Sequence, residues 1–474
     1  MARILLANAY LYRLDPKQWR DARPYPPLGT LIAAAVLREA GHAVQVRDMS
    51  LAASAQELEP ALAHVRPDAV VIHDDGFNYL TKMCLTVMRA EALRMIAAAK
   101  ALGCRVAVNS SDASDHPELY LAAGADAVVL GESEATLVEL MACWQADAPW
   151  TGIAGIAFLR DEAVARTAPR PVMRDLDALP RAAWELIDLE PYKRIWRQRH
   201  GYWSVNMATT RGCPFKCNWC AKPIYGNRYN SRSPEHVADE LQWLDEHHAP
   251  DHVWFADDIF GLKPGWVPRF RDALRERGLR IRFKIQSRAD LLVEEGAVDA
   301  LVQAGLEEAW MGAESGSQRI LDAMDKGITV EQIAEATRRL KAKGARACFF
   351  LQFGYLGEEA SDVRRTIRMV EDLLPDDIGV SVSYPLPGTR FHELVKADLK
   401  AKSNWSDSDD LAMLYRGAYS PAYYKRLHRY VHKRYRLQQG LHDLLCARPS
   451  QRALSTLYYA PAALVEGIRL RALA

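Results

Sequence analysis

From its first residues to about residue 146 the chain alternates short apolar runs with segments of helical period. The runs at 4–8, 43–48, 69–73, 105–109 and 127–130 have the length and composition of buried strands. Between them, 28–40, 55–65, 79–102, 117–123 and 133–144 space apolar side chains three and four apart, as a helix with one buried face requires. Such alternation predicts βαβ units on a parallel sheet. Residues 148–195 break the pattern with a hairpin, 153–159 paired near 164, followed by Pro169, Pro171 and Pro180, which mark a linker. The alternation resumes with strands at 202–210, 253–256, 281–285, 309–311, 347–353 and 378–383 and helices such as 235–247, 266–276 and 330–343.

The predicted architecture is therefore α/β throughout. A Rossmann-like domain spans 1–147, a linker with a hairpin 148–195, a partial (β/α)6 TIM-type barrel 196–395, and a helical C-terminal region 396–474. In both sheet domains ligands are expected at the carboxyl ends of the strands. In the first domain those ends carry Tyr25-Pro26-Pro27-Leu28-Gly29, Asp74-Asp75-Gly76, Asn109-Ser110-Ser111-Asp112 and Gly131-Glu132-Ser133. Their small and polar residues permit close backbone approach to a ligand, and also suit ordinary turns.

Composition narrows the classes. With 474 residues, 49% of them apolar, the chain has material for two or three cores. Its 61 basic and 60 acidic residues leave a formal charge of +1, so no DNA partner is expected. The N-terminal segment reads as a first strand and not as a signal peptide, and eight cysteines in so long a chain fit a reducing compartment, so a cytoplasmic protein is expected.

Three of those cysteines fall within eight residues, in Arg211-Gly212-Cys213-Pro214-Phe215-Lys216-Cys217-Asn218-Trp219-Cys220. The segment follows a strand and precedes the loop markers Pro223, Gly226 and Asn227. Three thiolates are one short of the four that a structural zinc or a fully protein-ligated iron–sulfur cluster takes. Either a histidine such as His200 or His236 completes a zinc site, or one metal position stays open to a small molecule.

The C-x3-C-x2-C run with Trp219 before the last cysteine resembles the cluster loop of radical S-adenosylmethionine enzymes. The match extends to Trp254-Phe255-Ala256-Asp257-Asp258, Gln286-Ser287-Arg288, Met311-Gly312-Ala313-Glu314-Ser315-Gly316-Ser317, Phe353-Gly354-Tyr355 and Tyr384-Pro385-Leu386-Pro387-Gly388. With the Rossmann-like domain ahead of it, residues 1 to about 395 resemble the cobalamin-binding class, the family of the anaerobic magnesium-protoporphyrin ester cyclase, hopanoid methylases and phosphinate methylases. The resemblance implies a [4Fe-4S] cluster on Cys213, Cys217 and Cys220, whose open iron chelates S-adenosylmethionine. It implies that Trp219, Asp257, Ser287, Arg288, Gly312, Ala313 and Glu314 surround that molecule. Cobalamin is expected beside Pro27, Gly29, Asp75, Gly76, Asn109, Ser110, Ser111, Gly131, Glu132 and Ser133.

The pattern Asp-x-His-x-x-Gly, whose histidine ligates cobalt in other cobalamin domains, is absent, which implies a cobalt without a histidine; His42, His64 and above all His73 are the competing candidates. The activity implied is methyl transfer to an unactivated carbon, or phosphorus, of a small molecule, supported by an external electron donor of flavodoxin or ferredoxin type. A rearranging, cyclising or oxidising radical enzyme without methyl transfer is the alternative, and no residue is assigned to hydrogen or proton transfer.

The stretch 411–438 lacks any acid and interleaves seven Lys and Arg with Tyr415, Tyr419, Tyr423, Tyr424, Tyr430 and Tyr435. Two readings stand: tyrosines packed on the barrel, or a stacking surface of a metal-containing RNA-binding or regulatory protein. The helix expected at 455–473 either covers the barrel or touches a membrane surface.

Overall fold

In the computed structural model, which describes residues 1–221, 224–446 and 450–473, the chain packs as two compact units. Met1–Pro214, Lys222–Ile281 and Asn404–Asp410 form the first, and Phe215–Ala221, Arg282–Ser403 and Leu411–Ala474 the second. Pro223 lies outside the described residues.

The first unit holds a seven-stranded sheet in the order β2-β1-β3-β4-β5-β6-β7. Its parallel strands are β1 (Arg3–Ala7), β2 (Ala43–Arg47), β3 (Ala69–His73), β4 (Arg105–Asn109) and β5 (Ala127–Val129). Every residue of β3 and β5 is buried, and all but His73 are Val, Ile or Ala, because helices cover both faces of such a sheet. The hairpin expected in the linker is β6 (Ile156–Arg160) and β7 (Ala163–Arg166), and it extends the same sheet antiparallel to β5. Helices Leu28–Glu39 and Glu134–Gln145 bury Ala34, Leu37, Leu137 and Leu140 in one core with Ile4, Leu6, Val71 and Ile156. The expected helices 55–65 and 79–102 each begin with a 3-10 turn, Ala55–Leu58 and Tyr79–Met83.

Each unit also holds parallel strands of a second set. In the first unit β8 (Ser204–Met207) pairs in parallel with β11 (His252–Phe255), and the two-residue strands β9 (Thr210–Arg211) and β10 (Asn230–Ser231) pair antiparallel. The stretch expected as one strand over 202–210 is thus broken after Met207. In the second unit β12 (Arg282–Ser287), β13 (Leu306–Glu314), β14 (Arg346–Phe353) and β15 (Asp377–Val382) pair in that order, all parallel. Helices alternate with these strands, among them Pro234–His248, Trp266–Glu276, Val330–Ala342, Ala360–Leu373 and, after the last strand, Arg390–Val395. This βα order is that of the half-barrel predicted from the sequence.

Two long helices, Pro421–Leu445 and Gln451–Arg471, close the second unit. Tyr415, Tyr423, Tyr424 and Tyr435 are buried, with Tyr435 Oη donating to Pro375 O at 2.9 Å. The tyrosines therefore pack inward, and these four are not available to stack on bases.

One buried carboxylate ties the motif at the end of β13 to helix Ala360–Leu373. Asp362, fully buried, accepts from Ser317 Oγ at 2.7 Å and from Glu359 N at 2.9 Å, and pairs with Arg319 and Arg365. Burial alone would raise its pKa, but these donors outweigh it and hold the carboxyl below its ordinary value of 3.8. A depressed carboxyl stabilises the fold above its unfolded pKa and loses that contribution as pH falls through the folded one. Asp362→Asn should lower unfolding free energy by about 1–3 kcal/mol at pH 7. Between pH 7 and the acid limb below 3.8 the denaturant midpoints of wild type and variant should converge.

Candidate functional site

The approach to the three thiols is set by a buried carboxylate. Asp257, at the end of β11, accepts from Thr209 N at 2.8 Å and Thr209 Oγ1 at 3.1 Å, and from Thr210 N at 2.5 Å and Thr210 Oγ1 at 2.6 Å. Burial outweighs these donors and pushes its pKa up to about 6. The residue expected beside S-adenosylmethionine thus anchors the backbone that leads into the cysteine loop, and its neighbour Asp258 pairs with Lys82 at 2.7 Å.

Gly212 then turns the chain with φ 78°, and a Cβ there would lie 2.2 Å from Arg228 O, so only glycine fits before the first thiol. Cys213 is buried and Cys217 and Cys220 are half-buried. Among the described residues no three His, Cys, Asp or Glu side chains converge on a single ion. The thiolates of a cubane cluster each take a different iron, so their spacing differs from that of one ion's ligands. The histidines of the zinc alternative are engaged elsewhere. His200 Nε2 sits 3.0 Å from Ala22 O, and His236 Nδ1 sits 3.0 Å from Asp177 Oδ1.

In the second unit, charged groups gather around Cys217. Arg288, buried at the end of β12, donates to Asp290 through Nε at 2.9 Å and Nη2 at 3.0 Å, and to Lys326 O at 2.9 Å. Its guanidinium lies 3.7 Å from the centre of the Phe215 ring, and Nη1 is 4.0 Å from Cys217 Sγ. Ser287 beside it and Ala313 on β13 are buried.

Glu314 ends β13 with φ 55°, after a register shift against β14 between Gly312 and Glu314. A bulge of this kind re-aims a side chain, and here it turns Glu314 to Lys326 Nζ at 2.9 Å. A Cβ on Gly312 would come within 2.4 Å of Lys326 Nζ and 2.6 Å of Glu314 Oε1, so glycine is what admits the pair. Burial works against the Lys326 charge, yet Glu314 and Cys217 more than offset it and hold its pKa above the ordinary value. The Lys326 ammonium also lies 5.9 Å from the Trp219 ring centre, and the buried Trp219 Nε1 makes no hydrogen bond among the described residues. A buried carboxylate and ammonium side by side match the amino and carboxylate groups of an amino acid.

The carboxyl edge of the first sheet carries the residues expected near cobalamin. Pro27 is buried ahead of helix Leu28–Glu39, and Asp75 Oδ1 accepts from Gly29 N and Phe77 N, both at 3.1 Å. Burial pushes the Asp75 carboxyl up to about 6. Asn109 Nδ2 donates to Gly131 O at 3.1 Å, tying two of the loops together, and Ser110 caps the short helix after β4 by accepting from Ala113 N. Ser133 Oγ meets His73 Nε2 at 2.8 Å, and burial lowers the His73 pKa to about 4, so the ring is neutral. Of the three candidate histidines, His73 alone ends a strand on this edge; His42 precedes β2 and His64 lies on the exposed side of helix Glu59–Val65.

Buried Ser111 Oγ and His73 Nδ1 make no hydrogen bond among the described residues. Buried polar groups of this kind call for a partner. A corrinoid ring, rimmed with amides, supplies donors and acceptors, so the edge fits that ligand's chemistry.

Sequence reasoning missed the group that organises this edge. Arg211, just before Gly212, is buried and pairs with Glu134 at 2.5 Å and more loosely with Glu132 at 3.5 Å. Its guanidinium lies 5.1 Å from the ring centre of Tyr225, which stacks on Phe77 at 5.2 Å. Burial would raise the Glu134 carboxyl, and Arg211 more than reverses this, holding it below its ordinary value. Tyr225 Oη also limits Gly76, where a Cβ would approach it to 3.2 Å. Neither Arg211 nor Lys326 announces a partner, because the partners lie 77 and 12 residues away.

Comparison with known proteins places both halves. Residues 22–141 match the B12 binding domain and residues 207–370 the radical SAM superfamily. An uncharacterized methyltransferase of Pyrococcus horikoshii is 30% identical over 282 residues, covering 59% of this chain and 60% of its own. The anaerobic magnesium-protoporphyrin IX monomethyl ester cyclase of a Synechocystis species is 28% identical over 67% of this chain and 62% of its own. The hopanoid C-3 methylase of Methylococcus capsulatus is 24% identical over 77% of this chain and 67% of its own. The chain thus spans about 60% of the length of the first two of these relatives.

Among solved structures, the cobalamin-dependent S-adenosylmethionine radical enzyme OxsB superposes with a TM-score of 0.74 at 17% identity, over 98% of this chain and 71% of its own. The radical S-adenosylmethionine methyltransferase TsrM of Kitasatospora setae does so with 0.69 at 19% identity, over 90% and 83%. The chain thus carries, in order, a segment matching the B12 binding domain and one matching the radical SAM superfamily. The cofactors proper to those domains are a [4Fe-4S] cluster, S-adenosylmethionine and cobalamin.

Removing the Arg211 charge leaves Glu134 buried without its partner. Arg211→Met should therefore lower unfolding free energy by about 3–5 kcal/mol, and Glu134→Gln in the same chain should recover most of the loss. A change below about 1 kcal/mol in denaturant unfolding would show that the pair behaves as a surface ion pair.

Proposed function

We propose that the chain is a cobalamin-dependent radical S-adenosylmethionine methyltransferase acting on an unactivated carbon, or phosphorus, of a small-molecule or lipid-like metabolite. The observation that carries the reading is the buried Glu314–Lys326 pair beside Cys217, in a chain whose other sheet matches a B12-binding domain. When bound, the cluster supplies the electron that cleaves S-adenosylmethionine to a 5′-deoxyadenosyl radical, and cobalamin carries the methyl group.

The chain's own residues bind and position. Cys213, Cys217 and Cys220 would hold the cluster, and Arg288 places a fixed cation near the second thiol. Glu314 offers its carboxylate to the methionine ammonium, and Lys326 its ammonium to the methionine carboxylate; each ion of the pair exchanges its present partner for the ligand's. Burial keeps that site dry, so the charges act at full strength without water to reorganise. Ser287, Ala313 and Trp219 complete its wall. In the first unit the loops at Gly76, Asn109–Ser111 and Gly131–Ser133 would receive the corrinoid, with His73 held to Ser133. An electron donor of flavodoxin or ferredoxin type completes the cycle.

The relation to the ester cyclase supports a second reading, in which the substrate radical cyclises or rearranges without gaining a methyl group. Product mass separates them: a gain of one CH2 supports methylation, and 5′-deoxyadenosine without that gain supports the alternative.

In anaerobically reconstituted protein, Cys213→Ala, Cys217→Ala and Cys220→Ala should each abolish reductive cleavage of S-adenosylmethionine. Cleavage surviving in any of them would contradict the cluster assignment. Glu314→Gln alone strands a buried ammonium and should cost stability as well as affinity. The double change Glu314→Gln with Lys326→Met removes both charges. It should keep a near-native melting temperature while equilibrium dialysis shows S-adenosylmethionine binding weakened about tenfold or more, at least ~1.4 kcal/mol. Normal binding by the double variant would refute the role.

For the corrinoid, the cob(II)alamin state should show no nitrogen superhyperfine splitting in electron paramagnetic resonance, in wild type and His73→Ala alike. Splitting that disappears on changing His73 would reverse this assignment.

A further inference from the structure

The helix Gln451–Arg471 buries one face and leaves the opposite one apolar and open. Ala453, Thr456, Ala463, Glu466 and Leu470 point inward. Leu454, Leu457, Tyr458, Leu464, Val465 and Ile468 point outward, with Leu457 82% exposed, Leu454 74% and Leu464 66%. At about 100° per residue these six fall within an arc of roughly 120°, diametrically across from the buried set. A soluble surface seldom carries so continuous a stripe of large apolar side chains without a use for it.

The charges around the stripe say what covers it. Arg469 and Arg471 are exposed and project from its two margins on the same helical wheel. Residues 421–473 contain ten Lys and Arg and two acids. Of those acids, Glu466 is buried between Arg426 at 2.8 Å and Lys433 at 2.9 Å, and Asp443 accepts from Ser450 Oγ at 2.6 Å. The exposed charge of the helical pair is therefore almost wholly positive. Two copies meeting through this face would bring like charges together, whereas an anionic bilayer offers hydrocarbon to the stripe and phosphates to its margins.

No helix among the described residues is long and apolar enough to cross a membrane, so the helix lies on the surface. We infer that Gln451–Arg471 is an interfacial helix that docks the protein on anionic lipid membranes through the Leu454–Ile468 stripe.

The test is flotation of the full chain with vesicles of phosphatidylcholine alone and of phosphatidylcholine with phosphatidylglycerol. Wild type should float with the anionic vesicles only, and less as salt rises. The exposed changes Leu457→Asp with Leu464→Asp should cut the bound fraction about tenfold or more, and Arg469→Glu with Arg471→Glu should reduce it, both at unchanged melting temperature. Two results overturn the inference: flotation with neither vesicle, or flotation unaffected by the leucine changes. A third does so by naming another occupant: sedimentation velocity that shows wild type self-associating, the leucine variant monomeric, and no vesicle binding by either.

Discussion

A guanidinium with no access to water must be paid for, and in the first unit that requirement fixes the geometry around the metal loop. Arg211 stands next to Gly212 and Cys213 in the chain, yet its charge is balanced by Glu134 and Glu132, which follow the last parallel strand of the first sheet. Because a buried ion cannot be left unpaired, the first thiol cannot shift without dragging a strongly unfavourable separation behind it. The ring pair Tyr225 and Phe77 lies against the same cation, and Asp257 holds Thr209 and Thr210 on the other side of it in sequence. The cysteine loop therefore enters from a stretch whose position is specified twice, by an ion pair and by a saturated carboxylate.

The second unit solves a related problem differently. Glu314 and Lys326 are also buried and opposite in charge, and they occupy the space that a side chain at Gly312 would need. The positive φ at Glu314 and the bulge beside it are the kind of local strain that a binding site retains. Arg211 is held by two carboxylates; the proposed role of Glu314 and Lys326 requires a pair that can trade partners.

Much of this was legible in the sequence because the informative signals are local. The strands over 69–73 and 105–109 have the predicted bounds, since continuous apolar runs flanked by turn residues leave little choice of register. The three thiols and the residues 312–314 were readable for the same reason: each constellation is contiguous. What escaped depends on contacts between distant positions. Nothing in the order of residues ties Arg211 to Glu134, or says that Asp257 would spend its oxygens on two threonines. The hairpin at 156–166 looked like part of a linker because its turn residues are real; that it completes a sheet edge is a property of β5 and not of the hairpin. The tyrosines of 411–438 show the reverse case, where a suggestive pattern dissolves once burial is known, since four of the rings support the helical pair from inside.

The central claim is that the loop of Cys213, Cys217 and Cys220 presents a cluster with one iron open to S-adenosylmethionine. The most direct measurement is electron paramagnetic resonance of the reduced, anaerobically reconstituted protein, recorded before and after S-adenosylmethionine is added. Coordination of the amino acid to the open iron predicts a changed set of g values, and the double change Glu314→Gln with Lys326→Met should diminish that change at a fixed concentration. A reduced cluster whose spectrum is indifferent to S-adenosylmethionine would contradict the account.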